Sequence, residues 1–171
     1  MDPIPSNPEK RVTKYLSGNR VVEQRRLGSG TDGDVFIVTG PQAAVKVYFD
    51  EHRFNLELAA YRRLTKLGMD HIGQFAIPVF HACDNRLLII EMSVVRPPFL
   101  IDFGKATVDD NQGWSKDQMD LWWDQVNEHF EKDAPIASNI FTQLRDKAGI
   151  YQWDLRPSNL NFGPISKNQD H

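Results

Sequence analysis

The sequence predicts an α+β fold in which an antiparallel sheet comes first and a pair of helices follows. Three observations carry that expectation. Short runs rich in β-branched and aromatic residues, separated by Gly, Pro and Asx turns, fill much of residues 21–93. One long amphipathic segment with a distinct start and stop interrupts them between Asp50 and Gly68. Two further capped helical patterns follow between Ser115 and Gly149. A chain of 171 residues buries roughly 70% of its unfolded surface, enough for one sizeable core or two small lobes.

Composition excludes more than it identifies. Hydrophobic content of 40%, charged content of 25% and a net charge of −3 are those of an ordinary globular chain. They leave no electrostatic footprint for nucleic acid. Cys83 is the single cysteine, with no partner for an internal disulfide and no companion for a thiolate metal site. No apolar run approaches the ~18 residues of a membrane helix, and the proline-rich start Met1 to Lys10 lacks the apolar core of a signal peptide. The expectation is a cytoplasmic protein with no membrane and no nucleic-acid partner.

In chain order, residues 1–10 contain three prolines and little to bury, and read as a flexible arm; Thr13 to Leu16 allows a short helical turn. Val21 to Leu27 and Asp34 to Thr39 read as a hairpin, and Ala43 to Tyr48 as a third strand after a tight turn at Gly40-Pro41. Asp50 is an N-cap with Glu51 in the first turn, Leu56, Ala60, Leu64 and Leu67 recur on one face, and Gly68 stops the helix. Ile77 to Ala82 and Arg86 to Met92, joined through Asp84-Asn85, make a second hairpin that completes a five-stranded sheet. Val95-Arg96-Pro97-Pro98 breaks regular structure. Ser115 and Gln118 form a capping box for a helix with Met119, Trp122, Trp123, Val126 and Phe130 on its apolar face, the tryptophans reading as core. Pro135 opens the next helix, Ile136, Ile140, Phe141 and Leu144 mark its buried face, and Gly149 closes it.

Within the first hairpin, Gly28-Ser29-Gly30-Thr31-Asp32-Gly33 has G-x-G-x-x-G spacing. Glycines so placed let the backbone turn sharply and bring amide N–H groups close to phosphate oxygens, where a Cβ would obstruct the approach. A dinucleotide fold needs a helix to open at the third glycine. Here Val35, Ile37, Val38 and Thr39 run on as a strand. An ordinary hairpin is the competing reading. The lysine of Ala44-Val45-Lys46 on the following strand favours a phosphate clamp.

This stretch resembles the protein-kinase-like superfamily, with Gly28, Gly30, Gly33 and Val35 on its glycine loop and Lys46 on its lysine strand. The resemblance implies a bilobed fold: an N-lobe over residues 11–93 with a five-stranded antiparallel sheet and one helix, a truncated helical C-lobe over 94–162, and a flexible tail over 163–171. It implies that Gly28, Ser29, Gly30, Gly33 and Val35 cover ATP. Glu57, beside the apolar stripe of its helix, would orient Lys46; the alternatives are a solvated Glu57 paired with nearby arginines, and Glu51 as the partner of Lys46. Leu88 to Met92 resembles the strand that leads into the hinge, so backbone groups near Glu91, Met92 and Ser93 would meet the adenine edge. A plain buried strand explains the same residues.

Tyr151-Gln152-Trp153-Asp154-Leu155-Arg156-Pro157-Ser158-Asn159 resembles the kinase catalytic loop. Asp154 occupies the position of the base, Asn159 that of the metal-binding asparagine, and Arg156 that of a cation facing the γ-phosphate. Such a loop must place an acceptor, a cation and an oxygen ligand within a few ångströms of one another. Asp154 and Asn159 as mere turn formers are the alternative. Gln152 and Trp153 stand where the family has histidine and arginine, so the contacts that ordinarily fix the loop backbone are expected to be missing. A kinase-like chain would next need an Asp-Phe-Gly, but only nine residues follow Phe162. The single Asp-Phe-Gly is Asp102-Phe103-Gly104, upstream, after apolar Phe99 to Ile101. Either it is fortuitous or it carries a metal ligand to the same place from another chain position, since an ion reads geometry and not sequence order.

The expected function is Mg2+-ATP binding and transfer of the γ-phosphoryl group to a hydroxyl. Asp154, Lys46 and Arg156 would be catalytic, and Asp102 and Asn159 would hold Mg2+. No peptide-binding platform is legible, so the acceptor is an unspecified small molecule or protein, or a protein partner supplies the platform. Two other classes compete: a pseudoenzyme that acts as a nucleotide- or protein-binding module, and a structural domain whose likeness is only topological.

Overall fold

The computed structural model describes residues 5–17, 24–38 and 43–163. The expected turn at Gly40-Pro41, the first residues of the strand from Val21, and the chain from residue 164 onward lie outside the described residues, as do residues 1–4.

Helix α1 (Pro8–Leu16) is followed by strands β1 (Gln24–Ser29), β2 (Gly33–Val38) and β3 (Ala43–Tyr48), then α2 (Glu51–Leu67). Next come β4 (His71–Ile72), β5 (Phe75–Ala76), β6 (Phe80–Asp84), β7 (Ile89–Ser93), β8 (Phe99–Leu100) and β9 (Ala106–Val108). Helices α3 (Lys116–Phe130) and α4 (Ala134–Ala148) precede β10 (Ile150–Gln152) and β11 (Leu160–Asn161). The fold is α+β, with a five-stranded antiparallel sheet in the order β1-β2-β3-β7-β6.

The pleat divides the sheet into two faces. From β3, Ala44 and Tyr48 enter the main core with Phe54, Leu58 and Tyr61 of α2. Val45 and Val47 point the other way, to a smaller core with Phe36, Val38, Ile89 and Val12 of α1. Helix α1 thus starts inside the stretch read as an arm. Asn7 caps it by accepting from the Lys10 N–H at 3.1 Å, and Pro8 opens the first turn, where a missing N–H costs nothing. Arg11 fastens it to the sheet by donating to the carbonyls of Tyr48, at 2.8 Å, and Leu87.

The caps of α2 are as expected: Asp50 accepts from the Arg53 N–H, and Gly68 ends the helix at φ +64°, where a Cβ would be strained. Its buried face differs from the expected stripe. Ala60 and Leu64 of that stripe are buried, but Phe54, Glu57, Leu58 and Tyr61 carry the rest of the face, while Leu67 is exposed. In α4, Ile136 is likewise exposed and Ala137 takes the inward position. The capping box of Ser115 and Gln118 is present at the start of α3.

Two short pairings position the site. Strand β10 pairs antiparallel with β9, placing Gln152 opposite Ala106. Strand β11 pairs antiparallel with β8, placing Leu160 opposite Leu100. The turn 101–105 and the loop 153–159 are therefore closed by the same two strand pairs and face each other, although some fifty residues separate Asp102 from Gln152. The hairpin β4–β5, which sequence reading did not anticipate, extends this lower sheet to the order β11-β8-β5-β4.

Candidate active site

A cleft of about 620 Å³ opens between the five-stranded sheet and the lower strands, within the roughly 300–1,000 Å³ usual for small-molecule sites. The glycine loop roofs it. The loop closes through the Gly30 N–H donating to the Gly33 carbonyl at 2.9 Å, and its tip is held down by the Phe49 N–H donating to the Asp32 carbonyl at 3.0 Å. A Cβ on Gly33 would run into the Val47 carbonyl oxygen, so the strand pair itself requires glycine there. Around Gly28 nothing lies within 4 Å of where a Cβ would be, leaving that part of the roof open to a ligand.

Lys46 is the centre of charge. Its Nζ lies 2.7 Å from Glu57 Oε2 and 2.9 Å from Asp102 Oδ1. Glu57 is placed by α2, where its i+4 neighbour Tyr61 and i−3 neighbour Phe54 are both buried. Its other oxygen accepts from the Phe103 N–H at 3.2 Å. Asp102 adopts φ +62°, sparsely populated by side-chain-bearing residues though tolerated by Asp. Gln152 holds that conformation by donating from Nε2 to the Asp102 carbonyl at 2.9 Å. Of the two proposed partners for Lys46, Glu57 is the one in contact and Glu51 is exposed.

The charges respond to this packing. Burial works against the Lys46 ammonium, but Glu57 and Asp102 outweigh it and hold its pKa above the ordinary lysine value. Burial pushes the Glu57 carboxyl up, with Lys46 opposing the shift. Burial also acts to raise Asp102, but there Lys46 prevails and the carboxyl is held below its ordinary value.

The opposite wall is the loop 153–159. Arg156 Nη2 donates to both Asp154 carboxylate oxygens at 2.7 and 2.6 Å. Asn159 Nδ2 donates to the Asp154 carbonyl at 2.9 Å and to its Oδ2 at 3.0 Å, and Lys105 Nζ stands 3.4 Å from Oδ1. The loop backbone is not left loose as expected. Besides the Gln152 bond, Trp153 Nε1 donates to Thr107 Oγ1 and Trp122 Nε1 to the Trp153 carbonyl, both at 2.9 Å. Amide and indole donors thus fix the loop backbone.

Gly28, Ser29, Gly30, Gly33, Val35, Lys46, Glu57, Met92, Asp102, Arg156 and Asn159 all line the cleft. Glu91, expected with Met92 and Ser93 near the adenine edge, is not among the lining residues. Its backbone pairs with Val45 and Ala82 on the two neighbouring strands, and its carboxylate accepts from Tyr15 at 2.8 Å and lies 3.8 Å from His81. The wall beyond Met92 is made by Ser93, Val94 and Val95. Asp154 opens instead onto a neighbouring cavity of about 260 Å³, shared with Trp122, Gln125, His129 and Trp153. Arg156 borders both spaces.

Sequence reading missed Asp32 and Arg53. Asp32 lines the cleft from the glycine loop; Arg53 Nε lies 3.7 Å from its Oδ1, and Arg53 Nη1 donates to the Gly104 carbonyl at 3.3 Å. The available signal was the place of Arg53, one helical turn before Glu57 on the same face. Among the described residues, no three His, Cys, Asp or Glu side chains form a metal cage of their own, and no helix is long and apolar enough to cross a membrane.

No family model matches the chain, and no curated protein matches it. Among solved structures, it is similar to the ADP-bound aminoglycoside phosphotransferase APH(2'')-Ib, with 21% identity and a TM-score of 0.41, over 71% of this chain and 39% of that one. It is similar also to APH(2'')-IIa in its ternary complex with streptomycin and ATP, with 20% identity and a TM-score of 0.41, over 80% of this chain and 45% of that one. The chain thus spans less than half the length of either structure that it resembles in part.

Proposed function

We propose that the cleft binds Mg2+-ATP and that the protein transfers the γ-phosphoryl group to a hydroxyl. One observation carries this reading: the Lys46 ammonium, fixed by Glu57 at 2.7 Å and Asp102 at 2.9 Å, lies under an open glycine loop and across from Arg156 and Asn159. A buried cation held by two carboxylates on a cleft floor is arranged to meet phosphate. The glycine-loop amides cover the phosphates, and Met92 to Val95 border the base.

The residues present suit Mg2+, which takes one or two carboxylates and completes its shell with water and substrate phosphate. The Asp102 side chain is one-third exposed, toward the cleft, and Asn159 adds an amide oxygen. Asp102 and Asn159 would hold the ion, which when bound neutralises charge on the β- and γ-phosphate oxygens. Arg156 faces the γ-phosphate from the loop. Asp154 accepts the proton of the acceptor hydroxyl, whose oxygen bonds to the γ-phosphorus as the β–γ bridging bond breaks and ADP leaves.

A second reading rests on a specific contact. Arg156 engages both Asp154 oxygens and Asn159 donates to one of them, so the base is already occupied, as suits a nucleotide-binding module without transfer. The two readings part in one experiment. Thermal unfolding with and without Mg2+-ATP should show stabilisation of about 2.7 kcal/mol at one hundred times the Kd, and ADP should form when hydroxyl acceptors are supplied. Stabilisation without ADP selects the binding module; no Mg2+-dependent stabilisation overturns both.

A further inference from the structure

Helix α2, the glycine loop and the Asp102-Phe103-Gly104 turn meet at one side chain. Arg53 projects from the first turn of α2, with Nε 3.7 Å from Asp32 Oδ1 in the glycine loop and Nη1 donating to the Gly104 carbonyl at 3.3 Å. It is two-thirds buried, and Asp32 is only 13% exposed although Gly30 and Thr31 just before it are open. An acidic side chain folded beneath a loop meant for phosphate needs a reason, because its charge opposes that of the ligand.

Gly104 shows how crowded the junction is. The position of a Cβ there would be 3.1 Å from Asp32 Oδ2, 3.3 Å from Asp102 Oδ1 and 3.4 Å from Glu57 Oε2. Three carboxylates converge on the space that a side chain at Gly104 would fill, and Lys46 already serves two of them. Arg53 is the cation that reaches the third.

We propose that Arg53 is a positioning residue that latches the glycine loop shut by pairing with Asp32 while it grips the Gly104 carbonyl. The latch does two things. It fixes the loop tip, adding to the backbone bond from Phe49 to Asp32, and it neutralises the Asp32 carboxylate so that the phosphate side of the cleft is not left with excess negative charge. Its second role rests on the nucleotide reading given above; its first does not.

The test separates the two. In the nucleotide-free protein, hydrogen exchange at the Phe49 amide reports loop opening. Arg53→Ala and Asp32→Asn should each speed that exchange by about fivefold, as a partly screened ion pair implies, and the double variant should be no faster than either single one. Amides of β3 should exchange as in the wild type, which a general loss of stability would not allow. Additive effects, or no effect at Phe49, overturn the latch whether or not the protein binds ATP.

For the second role, Arg53→Ala should weaken Mg2+-ATP binding by about tenfold, and Asp32→Asn in that background should restore it to within about threefold of the wild type. Failure of the second substitution to restore binding would overturn the neutralising role, leaving the exchange result to decide the first. If the wild type shows no affinity for Mg2+-ATP, the nucleotide reading fails along with this role, while the exchange result still decides the first.

Discussion

The two walls of the cleft are built on different principles. On one side Lys46, Glu57 and Asp102 come from β3, α2 and the turn after β8, and their contacts span 11 to 56 residues of sequence. The Glu57 side chain is 1% exposed and that of Lys46 8%. On the other side Arg156 and Asn159, together with Asp154 on the neighbouring cavity, lie within one loop and bond chiefly to one another, with the Arg156 side chain 44% exposed. The first wall exists only when the tertiary fold does; the second is largely a property of its own local sequence. Substitutions on the first should therefore cost stability along with binding, and those on the second should separate chemistry from stability.

The largest effect should come from breaking the buried set. Lys46→Ala leaves Glu57 buried without its cation, and removal of one partner of a buried pair costs about 3–5 kcal/mol. Urea denaturation should show a midpoint shift of that size, and Mg2+-ATP should no longer stabilise the variant. A stability change under about 1 kcal/mol would mean that this wall is no more interdependent than the other.

Across the cleft, Asp154→Asn removes contacts to Arg156 and Lys105, whose own side chains are 44% and 34% exposed and stay hydrated, so the stability change should stay near 1 kcal/mol or below. Phosphoryl transfer should fall by about 10²-fold or more while Mg2+-ATP affinity holds, as loss of a proton acceptor implies. A parallel loss of affinity would place Asp154 among the nucleotide-holding groups and erase the contrast.

The smallest effect concerns pH. Asp102 is held below its ordinary value of 3.8 by Lys46 against the effect of burial, so the folded state keeps this carboxylate ionised at pH where the unfolded chain protonates it. Its contribution to stability is full above the ordinary value and fades as pH falls through the folded one. Asp102→Asn should destabilise the protein at neutral pH and flatten the acid limb of its stability profile below about pH 4. An acid limb as steep as that of the wild type would exclude Asp102 from the buried set.

What the sequence made legible was mostly local. The caps at Asp50, Gly68 and Ser115 and the strands around the glycine loop depend on neighbours in the chain, and the structure has them within a residue or two of where the pattern puts them; the spacing of Asp154, Arg156 and Asn159 is local in the same way. Glu57 was legible as a candidate because helical spacing ties it to the apolar face. Less legible were features decided across the sheet. Glu91 is turned from the cleft by the pleat and by strands on both sides, and α1 starts at Pro8 because an uncovered face of β3 needs covering. Asp32 and Arg53 belong to the same class, since neither is remarkable alone and only the folded loop brings them together.

The pairing of β11 with β8 and of β10 with β9 has a kinetic consequence. Both join segments more than forty residues apart, and closing such loops costs entropy before the contacts they allow are made. During synthesis the five-stranded sheet and α2 can assemble once residue 93 has left the ribosome, whereas Asp102 gains its opposing loop only after Leu160 has emerged. Until then Gln152 cannot hold the backbone of Asp102 in its left-handed conformation. Folding ends, in this order of events, with the formation of the cleft.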